Sequence, residues 1–207
     1  TYNTTVDRNP KIKNDAWYES NLLTNYDKYI SRTAIYCNDR SISKKSSSTA
    51  YTYGPATRGY TSPTFKCGGD GNGGLFESTQ RWEDKLSAST TGGGNGLLKY
   101  PVALITADEI AYAGKTSWHY YNGNNKLIGD TGYWFTMSPN DVSSSGSFVI
   151  IMGTKTITQL QGYNTDYSGY IRPVISLKAC VKYASGDGSS SNPYEVTIDS
   201  TCENSEN

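Results

Sequence analysis

The chain has one histidine, His119, and none of its four cysteines forms a Cys-x-x-Cys motif. A zinc site of the usual Cys and His type is therefore excluded. His119 has no Gly-x-Ser-x-Gly elbow and no partner aspartate, so we interpret it as a loop residue and not as a catalytic base. Glu83 and Asp84 are adjacent, and adjacent side chains point apart on most backbones, which argues against a glycosidase pair. We predict no catalytic residue.

The chain also lacks an excess of charge, a basic block and any long apolar run. Its 19 basic and 19 acidic residues give a formal net charge of zero. Since Lys and Arg contacts to phosphate dominate nucleic-acid affinity, a nucleic-acid partner is not expected. No apolar run approaches the ~20 residues that cross a bilayer, and no signal peptide is present. We expect a mature or trimmed chain, with any membrane anchor outside it.

The chain is rich in aromatic residues, with 18 Tyr and 4 Trp. They favour an ordered core of aromatic rings with Tyr hydroxyls at its margin. The four widely spaced cysteines suggest an oxidising compartment. We pair Cys37 with Cys67 and Cys180 with Cys202, although four cysteines allow three connectivities and free buried thiols are the alternative.

The first segment has the spacing of an amphipathic helix. Asn9 is a suitable N-cap, and Pro10 suits the first helical position. The apolar stripe is formed by Ile12, Ala16, Trp17, Leu23, Tyr26 and Ile30. This pattern predicts a helix over residues 10–30 that packs on the domain.

Residues 34–37 form a short strand candidate, and residues 38–99 then form a loop-rich insertion. Its Gly- and Ser-rich runs are long for a compact domain, and such segments are usually functional or mobile. Residues 100–177 follow as the core of the fold, and residues 178–207 as a C-terminal hairpin and tail. We predict one domain over residues 1–207.

The core region opens with a strong helix signal. Thr106 and Glu109 form a capping box, Ile105 and Ile110 a hydrophobic staple, and Gly114 ends the helix. The strand candidates are 133–137, stopped by Pro139, then 147–152 and 155–160 around a Gly153-Thr154 turn, then 170–177, and finally 180–183 and 194–198. Strands with few helices predict the α+β class.

Three motifs follow one another through this region: LITADEIAYAG, YWFT and GYIRPV. They resemble the helix LPTEAEWEYAA, the strand WEWT and the closing strand GFRPV of the C-type lectin-like fold, in its formylglycine-generating-enzyme subclass. The resemblance implies a C-type lectin-like fold with a long N-terminal helix, a short second helix and an antiparallel sheet with extensive loops. Active members use a cysteine pair for copper and oxygen chemistry, whereas here only Cys180 lies near the closing strand. An oxidase of that type is the remote alternative.

A larger set of motifs, spread over about residues 15–196, is similar to a C-terminal domain in surface proteins of Gram-positive gut bacteria. The set comprises DAWYESNL, YCNDRSI, a later KC, GNGLLKYPVALITADEIAYAG, YWFTMSP, YIRPVISLK and SGDGSSSNPYEV. This resemblance implies an extracellular chain, either on the bacterial cell surface or secreted. This resemblance implies no enzymatic activity for the chain.

The same fold also serves the variable proteins of diversity-generating retroelements, which bind ligands through the segment before the closing strand. The matching stretch here, residues 139–170, is rich in Tyr, Ser, Asn, Asp and Gly, the residues that antibody paratopes favour. The resemblance implies ligand contacts from loops 139–145 and 161–169. The predicted contact residues are Asn140, Asp141, Ser143, Ser144, Tyr163, Asn164, Asp166, Tyr167 and Tyr170.

We expect a binding module, adhesin-like and not an enzyme, that recognises a host or microbial surface glycan or protein. A pilin-like or filament subunit head domain is the alternative. No cofactor is predicted, but calcium stays open. Asp70, Asn72 and Asp187 lie in Gly-rich stretches and offer oxygen ligands, although plain turns explain such stretches as well.

Overall fold

The computed structural model describes residues 9–32, 34, 36–37, 39, 41–45, 50–58, 62–64, 79–80, 98–114, 134–143, 146–152, 160–164, 169–189 and 191–203. Its α-helices are α1 (Asn9–Asn21), α2 (Gly54–Arg58) and α3 (Ala107–Gly114), with 3₁₀ turns at Asp27–Tyr29 and Ser200–Glu203. Its strands are β1 (Tyr36–Cys37), β2 (Ile42–Lys45), β3 (Tyr51–Tyr53), β4 (Thr79–Gln80), β5 (Ala103–Leu104), β6 (Trp134–Ser143), β7 (Gly146–Met152), β8 (Leu160–Asn164), β9 (Pro173–Val174), β10 (Val181–Ser185) and β11 (Glu195–Ile198). The predicted α+β class is confirmed.

The strands form small antiparallel sheets. The largest has five strands in the order β2-β3-β6-β7-β8, and the pairs β1-β4, β5-β9 and β10-β11 form two-stranded sheets. Two strands of the large sheet, β2 and β3, come from the segment interpreted as a loop-rich insertion. Strand β2 is short and rich in Ser and Lys, so its sequence lacks the alternation of apolar and polar residues that predicts a strand.

The prediction of a long N-terminal helix over residues 10–30 is wrong, because α1 ends at Asn21. The Asn21 side chain donates to the Trp17 carbonyl at 2.7 Å, and Asn is a weak helix former for this reason. The amides of Leu22 and Leu23 both bond to the Tyr18 carbonyl, which closes the last turn. Asp27 then accepts a hydrogen bond from the Tyr18 hydroxyl at 2.7 Å, so the chain folds back on α1.

The predicted apolar stripe is wrong in part: Ile12, Ala16 and Tyr26 are exposed, whereas Ile30 is buried and Trp17 and Leu23 pack against its cluster. Asn14, Asp15 and Tyr18 are the buried residues of α1, whereas Ile12 is 52% exposed. Lys11 satisfies Asp15 from the preceding turn through an ion pair at 2.5 Å. The buried face is therefore polar and aromatic, and a count of aliphatic residues could not find it.

Aromatic rings build the core, as the composition predicts. Tyr18 stacks on Tyr100 with ring centroids 5.2 Å apart, in a cluster with Ile30 and Val102. Tyr36 lies in a second cluster with Leu98 and Ala103. Its hydroxyl donates to the Pro101 carbonyl at 3.0 Å and accepts from the Ser176 amide at 3.2 Å. Burial raises the pKa of both the Tyr18 and the Tyr36 phenol.

Strand β6 continues through Pro139, which was predicted to stop it. Pro139 pairs with Val149 of β7, and the register shifts on both sides of it. These irregularities let the sheet accommodate a residue that has no N–H to donate. Of the predicted 155–160 strand only Leu160 is described; it lies opposite Met152 in β8, which extends to Asn164. Residues 153–159 lie outside the described residues.

Helix α3 and its capping box are confirmed. The Thr106 amide donates to Glu109 Oε2 at 2.8 Å, and the Glu109 amide donates to Thr106 Oγ1 at 3.1 Å. The Ala107 amide donates to Ser138 Oγ at 2.9 Å. This last bond fixes the helix start against β6.

The C-terminal hairpin is confirmed as β10 and β11, with Val181 opposite Ile198. A disulfide joins Cys180 to Cys202 across a Cα–Cα distance of 5.2 Å, as predicted. The other predicted pair, Cys37–Cys67, lies outside the described side chains. None of the described helices is both long and apolar enough to span a membrane.

Candidate functional site

The predicted contact residues lie mostly on strands, not on loops. Asn140, Asp141 and Ser143 belong to β6, and Tyr163 and Asn164 belong to β8. Ser144, Asp166 and Tyr167 lie outside the described residues, and the side chains of Ser143, Tyr163 and Asn164 are not described. The prediction of two loops is corrected for the described residues, because β6 continues through Pro139 to Ser143 and β8 extends from Leu160 to Asn164.

These two strands are brought together across β7. Pro139 pairs with Val149, and Val149 pairs with Tyr163 on its other side. The Asn140 side chain packs against Gly162, where an added Cβ would lie 2.0 Å from Asn140 Nδ2. Gly162 therefore provides the space that Asn140 occupies, and the two segments meet on one sheet.

Asp141 is a partly buried acid of this surface. Its backbone pairs with Thr52 of β3, and its Oδ1 is buried with no hydrogen-bond donor among the described residues. Burial raises the pKa of the Asp141 carboxyl above its usual range.

Tyr170 extends from the end of this sheet. Its carbonyl accepts from the Phe135 amide at 3.0 Å, and it forms a parallel bridge with Trp134. With its backbone held in this way, its side chain is 63% exposed. An exposed Tyr ring on a fixed backbone offers contact area to a ligand at low entropic cost.

A cleft of about 350 Å³ lies beside Tyr170, lined by Ile105, Trp134, Ile171, Arg172, Pro173 and Val174. The Arg172 guanidinium carbon lies 4.9 Å from the Trp134 ring centroid, which is within cation–π range. Burial lowers the pKa of Arg172. Sequence reasoning assigned no role to Arg172 or Trp134. The signal available was a charged residue inside the apolar run IRPVISL.

The described residues offer no metal centre, because no group of three or more His, Cys, Asp or Glu side chains comes together among them. Asp187, one of the calcium candidates, accepts a hydrogen bond from the Ser189 amide at 2.8 Å and so closes a turn. Gly186 and Gly188 flank it with positive φ angles of 94° and 78°. Asp70, Asn72, Glu83, Asp84 and His119 lie outside the described residues.

Comparison with protein-family models, with curated proteins and with solved structures finds no match.

Proposed function

We propose that this chain is a ligand-binding module of adhesin type that recognises a host or microbial glycan or protein on the surface formed by β6, β7 and β8. The observation that carries the proposal is the meeting of Asn140 with Gly162. Asn140 lies in β6 and Gly162 lies in β8, and β7 separates these two strands in the sequence. Both segments have a paratope-like composition, and they contribute to a single surface. Binding rests on shape and hydrogen bonds, with no covalent chemistry.

A site on strands suits recognition better than the loops that the sequence suggested. The β7 and β8 backbones pair without interruption from Phe148↔Asn164 to Met152↔Leu160. Contact groups held by such a ladder are ordered before the ligand arrives, so less conformational entropy is lost on binding. The exposed Tyr170 ring then supplies an apolar face.

The fold that we propose is C-type lectin-like, in the arrangement of the formylglycine-generating subclass. Its support is the order of a capped helix at Ala107–Gly114, a long strand from Trp134 and a closing strand at Pro173–Val174. We place the chain on a bacterial cell surface or in secreted form. The Cys180–Cys202 disulfide supports this location, since disulfides persist in oxidising compartments.

A glycan and mucin-protein array tests the proposal, run with and without EDTA. Tyr170→Ala is the informative variant, and Tyr183→Ala is its matched control, because these rings are 63% and 66% exposed at different places in the fold. We expect binding that Asn140→Ala and Tyr170→Ala weaken and that Tyr183→Ala leaves unchanged. Loss with EDTA would add calcium. Equal binding by all variants would remove the sheet surface from consideration.

A structural subunit is the second candidate, and the C-terminal hairpin favours it. Val181, Tyr183, Val196 and Ile198 share one face of the hairpin, by their register. Tyr183, Val196 and Ile198 are each about half exposed or more. An exposed apolar face of this kind suits burial between subunits. Light scattering over a range of concentrations would detect an oligomer. Replacement of Val196 and Ile198 by Ser should dissociate this oligomer into monomers. A stable oligomer together with no binding on the array would favour the structural-subunit function.

A further inference from the structure

The Trp134 indole is a buried hydrogen-bond donor that the fold does not use. Trp134 is 2% exposed, and its Nε1–H has no acceptor among the described residues. Such donors are rare in folded proteins, because each loses its bond to water and gains nothing in exchange. Trp134 also lines the cleft of about 350 Å³. A ligand that brings an acceptor into this cleft can therefore form a bond that the protein alone leaves unmade.

The other walls of the cleft favour an uncharged ligand. They are formed by Ile105, Ile171, Arg172, Pro173 and Val174. The Arg172 guanidinium carbon lies 4.9 Å from the Trp134 ring centroid. Arg172 has a further interaction besides this contact, so we assign it no role beyond forming a wall. A charged group placed against the aliphatic side chains would lose its hydration with little in exchange.

An acetamido group has the chemistry that this cleft accepts. Its carbonyl oxygen accepts an N–H bond, its methyl group is apolar, and it carries no charge. A hydroxyl group also accepts a bond, but it brings no apolar atoms to the aliphatic walls. Volumes of this order hold small ligands, and mostly apolar linings with a few polar groups are typical of their sites.

A sugar ring has a place next to the cleft. Tyr170 directly precedes the lining residue Ile171, so their Cα atoms are ~3.8 Å apart. The Tyr170 side chain is 63% exposed, and its backbone is held by the bridge to Trp134. An exposed Tyr ring on a fixed backbone offers contact area to the apolar face of a pyranose.

We propose that the cleft binds the acetamido group of an N-acetylated hexosamine. The carbonyl oxygen accepts the Trp134 Nε1–H bond, the methyl group packs on the aliphatic walls, and the pyranose ring lies outside, beside Tyr170. This inference rests on the proposed function, because it names the class of glycan that the module recognises. Its contacts in the cleft differ from Asn140 and Gly162, so the two proposals can be tested separately.

N-acetylglucosamine is the probe, and glucose is its matched control, because the two sugars differ only in the group on the second ring carbon. Uniformly ¹⁵N-labelled protein is titrated with each sugar, and the indole N–H signals are followed by NMR. The Trp134 signal is assigned by its loss in Trp134→Phe. We expect saturable movement of this signal with N-acetylglucosamine, and binding at least about tenfold weaker for glucose, as one hydrogen bond and one buried methyl group provide. Equal binding of the two sugars, or no movement at tens of millimolar, would overturn the proposal.

Variants test the indole donor directly. Trp134→Phe keeps an aromatic ring but removes the N–H, and it should weaken N-acetylglucosamine binding at least about threefold, as the loss of one neutral hydrogen bond does. Binding to this variant is followed on the ¹³C methyl signals of Ile105 and Val174. Trp17→Phe is the matched control, because Trp17 packs against the Tyr18 cluster and not in the cleft lining. An equal loss in both variants would contradict the site. If Trp134→Phe does not fold, the comparison of the two sugars on the unaltered protein still decides the question.

An acetamido group also occurs on acetylated lysine. A peptide that contains one acetyl-lysine is therefore titrated in the same way, with the unacetylated peptide beside it. We expect weaker binding of the acetylated peptide than of N-acetylglucosamine, since the peptide has no pyranose for Tyr170. Tighter binding of the acetylated peptide would overturn the assignment to a sugar.

The glycan array separates failure of this inference from failure of the proposed function. Binding to glycans with and without N-acetyl groups alike, weakened by Asn140→Ala, would retain the β6–β8 surface and overturn the acetamido site. Movement of the Trp134 signal with N-acetylglucosamine, together with array binding that Asn140→Ala leaves unchanged, would support the cleft and remove the β6–β8 surface.

Discussion

Arg58 and Asp108 form a two-point ion pair that joins α2 to the first turn of α3. Arg58 Nε donates to Asp108 Oδ1 at 3.0 Å, and Arg58 Nη2 donates to Asp108 Oδ2 at 2.8 Å. Nη1 lies 2.6 Å from Asp39 Oδ2, and the Thr64 amide donates to Asp108 at 2.9 Å. Burial alone would lower the pKa of Arg58, but the bonds and charges of Asp108 and Asp39 outweigh it and raise the pKa. One guanidinium thus holds three separate segments beside the sheet.

Arg58→Met is expected to lower the free energy of unfolding by about 3–5 kcal/mol, because it leaves two buried carboxylates without their cation. The side chains of Asp39 and Asp108 are 2% and 6% exposed. Urea denaturation measures the change. Arg58→Lys should recover only part of it, since an ammonium cannot make the two-point contact.

Lys99→Gln is the control for this measurement. The Lys99–Glu19 pair is 4.0 Å apart, and its side chains are 60% and 54% exposed, so its loss should change stability by no more than about 0.5 kcal/mol. A similar effect of both replacements would mean that Arg58 is not buried in its ion pairs.

The capping box makes a second prediction. Thr106→Ala removes the acceptor for the Glu109 amide and should cost about 1 kcal/mol, which is about 2–4 °C in Tm for a chain of this size. Glu109→Gln preserves the box, because Gln also accepts from the Thr106 amide. Thermal unfolding followed by circular dichroism compares the two. A larger loss for Glu109→Gln would mean that charge, and not the cap, stabilises this turn.

The features that sequence reasoning found are those with local causes. The start of α3 is set by residues three positions apart, Thr106 and Glu109. The hairpin that follows Cys180 is closed by a Gly-rich turn whose signature lies within a few residues. Short-range signals of this kind need no knowledge of the rest of the chain.

The features that it missed depend on distant residues. The return of the chain onto α1 depends on the contact of Asp27 with Tyr18, and the passage of β6 through Pro139 needs the neighbouring β7 strand. The packing of Asn140 on Gly162 likewise needs the final sheet. Trp134 and Arg172 lie 38 positions apart in the sequence, and no local pattern indicates that their side chains stack.

Disulfide mapping tests both predicted pairs. Non-reducing peptide mapping should recover Cys180–Cys202 and Cys37–Cys67, and any other connectivity would refute the pairing. The Cys180–Cys202 bond closes a separation of 22 residues. On the chain-entropy account its removal by a double Ser replacement should cost about 3 kcal/mol. Hydrogen exchange should place the loss in the β10–β11 hairpin.

Gly162→Ala tests the meeting of the two predicted segments. The new Cβ would lie 2.0 Å from Asn140 Nδ2 and 2.7 Å from its Cγ, so the Asn140 side chain must move. We expect weaker ligand binding and a stability loss of about 1–3 kcal/mol, as overpacking gives. Asn140→Ala should relieve the clash, so the double variant should be more stable than Gly162→Ala alone. Additive losses would mean that the two residues do not touch.

The pH dependence of stability separates two aspartates whose pKa values move in opposite directions. Burial raises the pKa of Asp141 above 3.8, so folding favours its protonated form. The stabilisation that the protonated Asp141 carboxyl contributes is complete below its pKa in the unfolded chain. It is lost as the pH rises through the pKa of Asp141 in the folded protein. Asp141→Asn should therefore raise Tm at pH 7 and lose this advantage in acid.

The contribution of Asp199 to stability has the opposite dependence on pH. A hydrogen bond from the Thr201 amide, at 3.0 Å, lowers the pKa of the Asp199 carboxyl. Its stabilisation is present above the unfolded pKa and is lost as pH falls through the folded value, so Asp199→Asn should lower Tm at pH 7 and have less effect in acid. Thermal unfolding at pH 7 and at about pH 3, below the ordinary Asp pKa, compares both variants with the natural chain. If Asp141→Asn also lowers Tm at pH 7, then the Asp141 carboxyl is not the unsatisfied acid of β6.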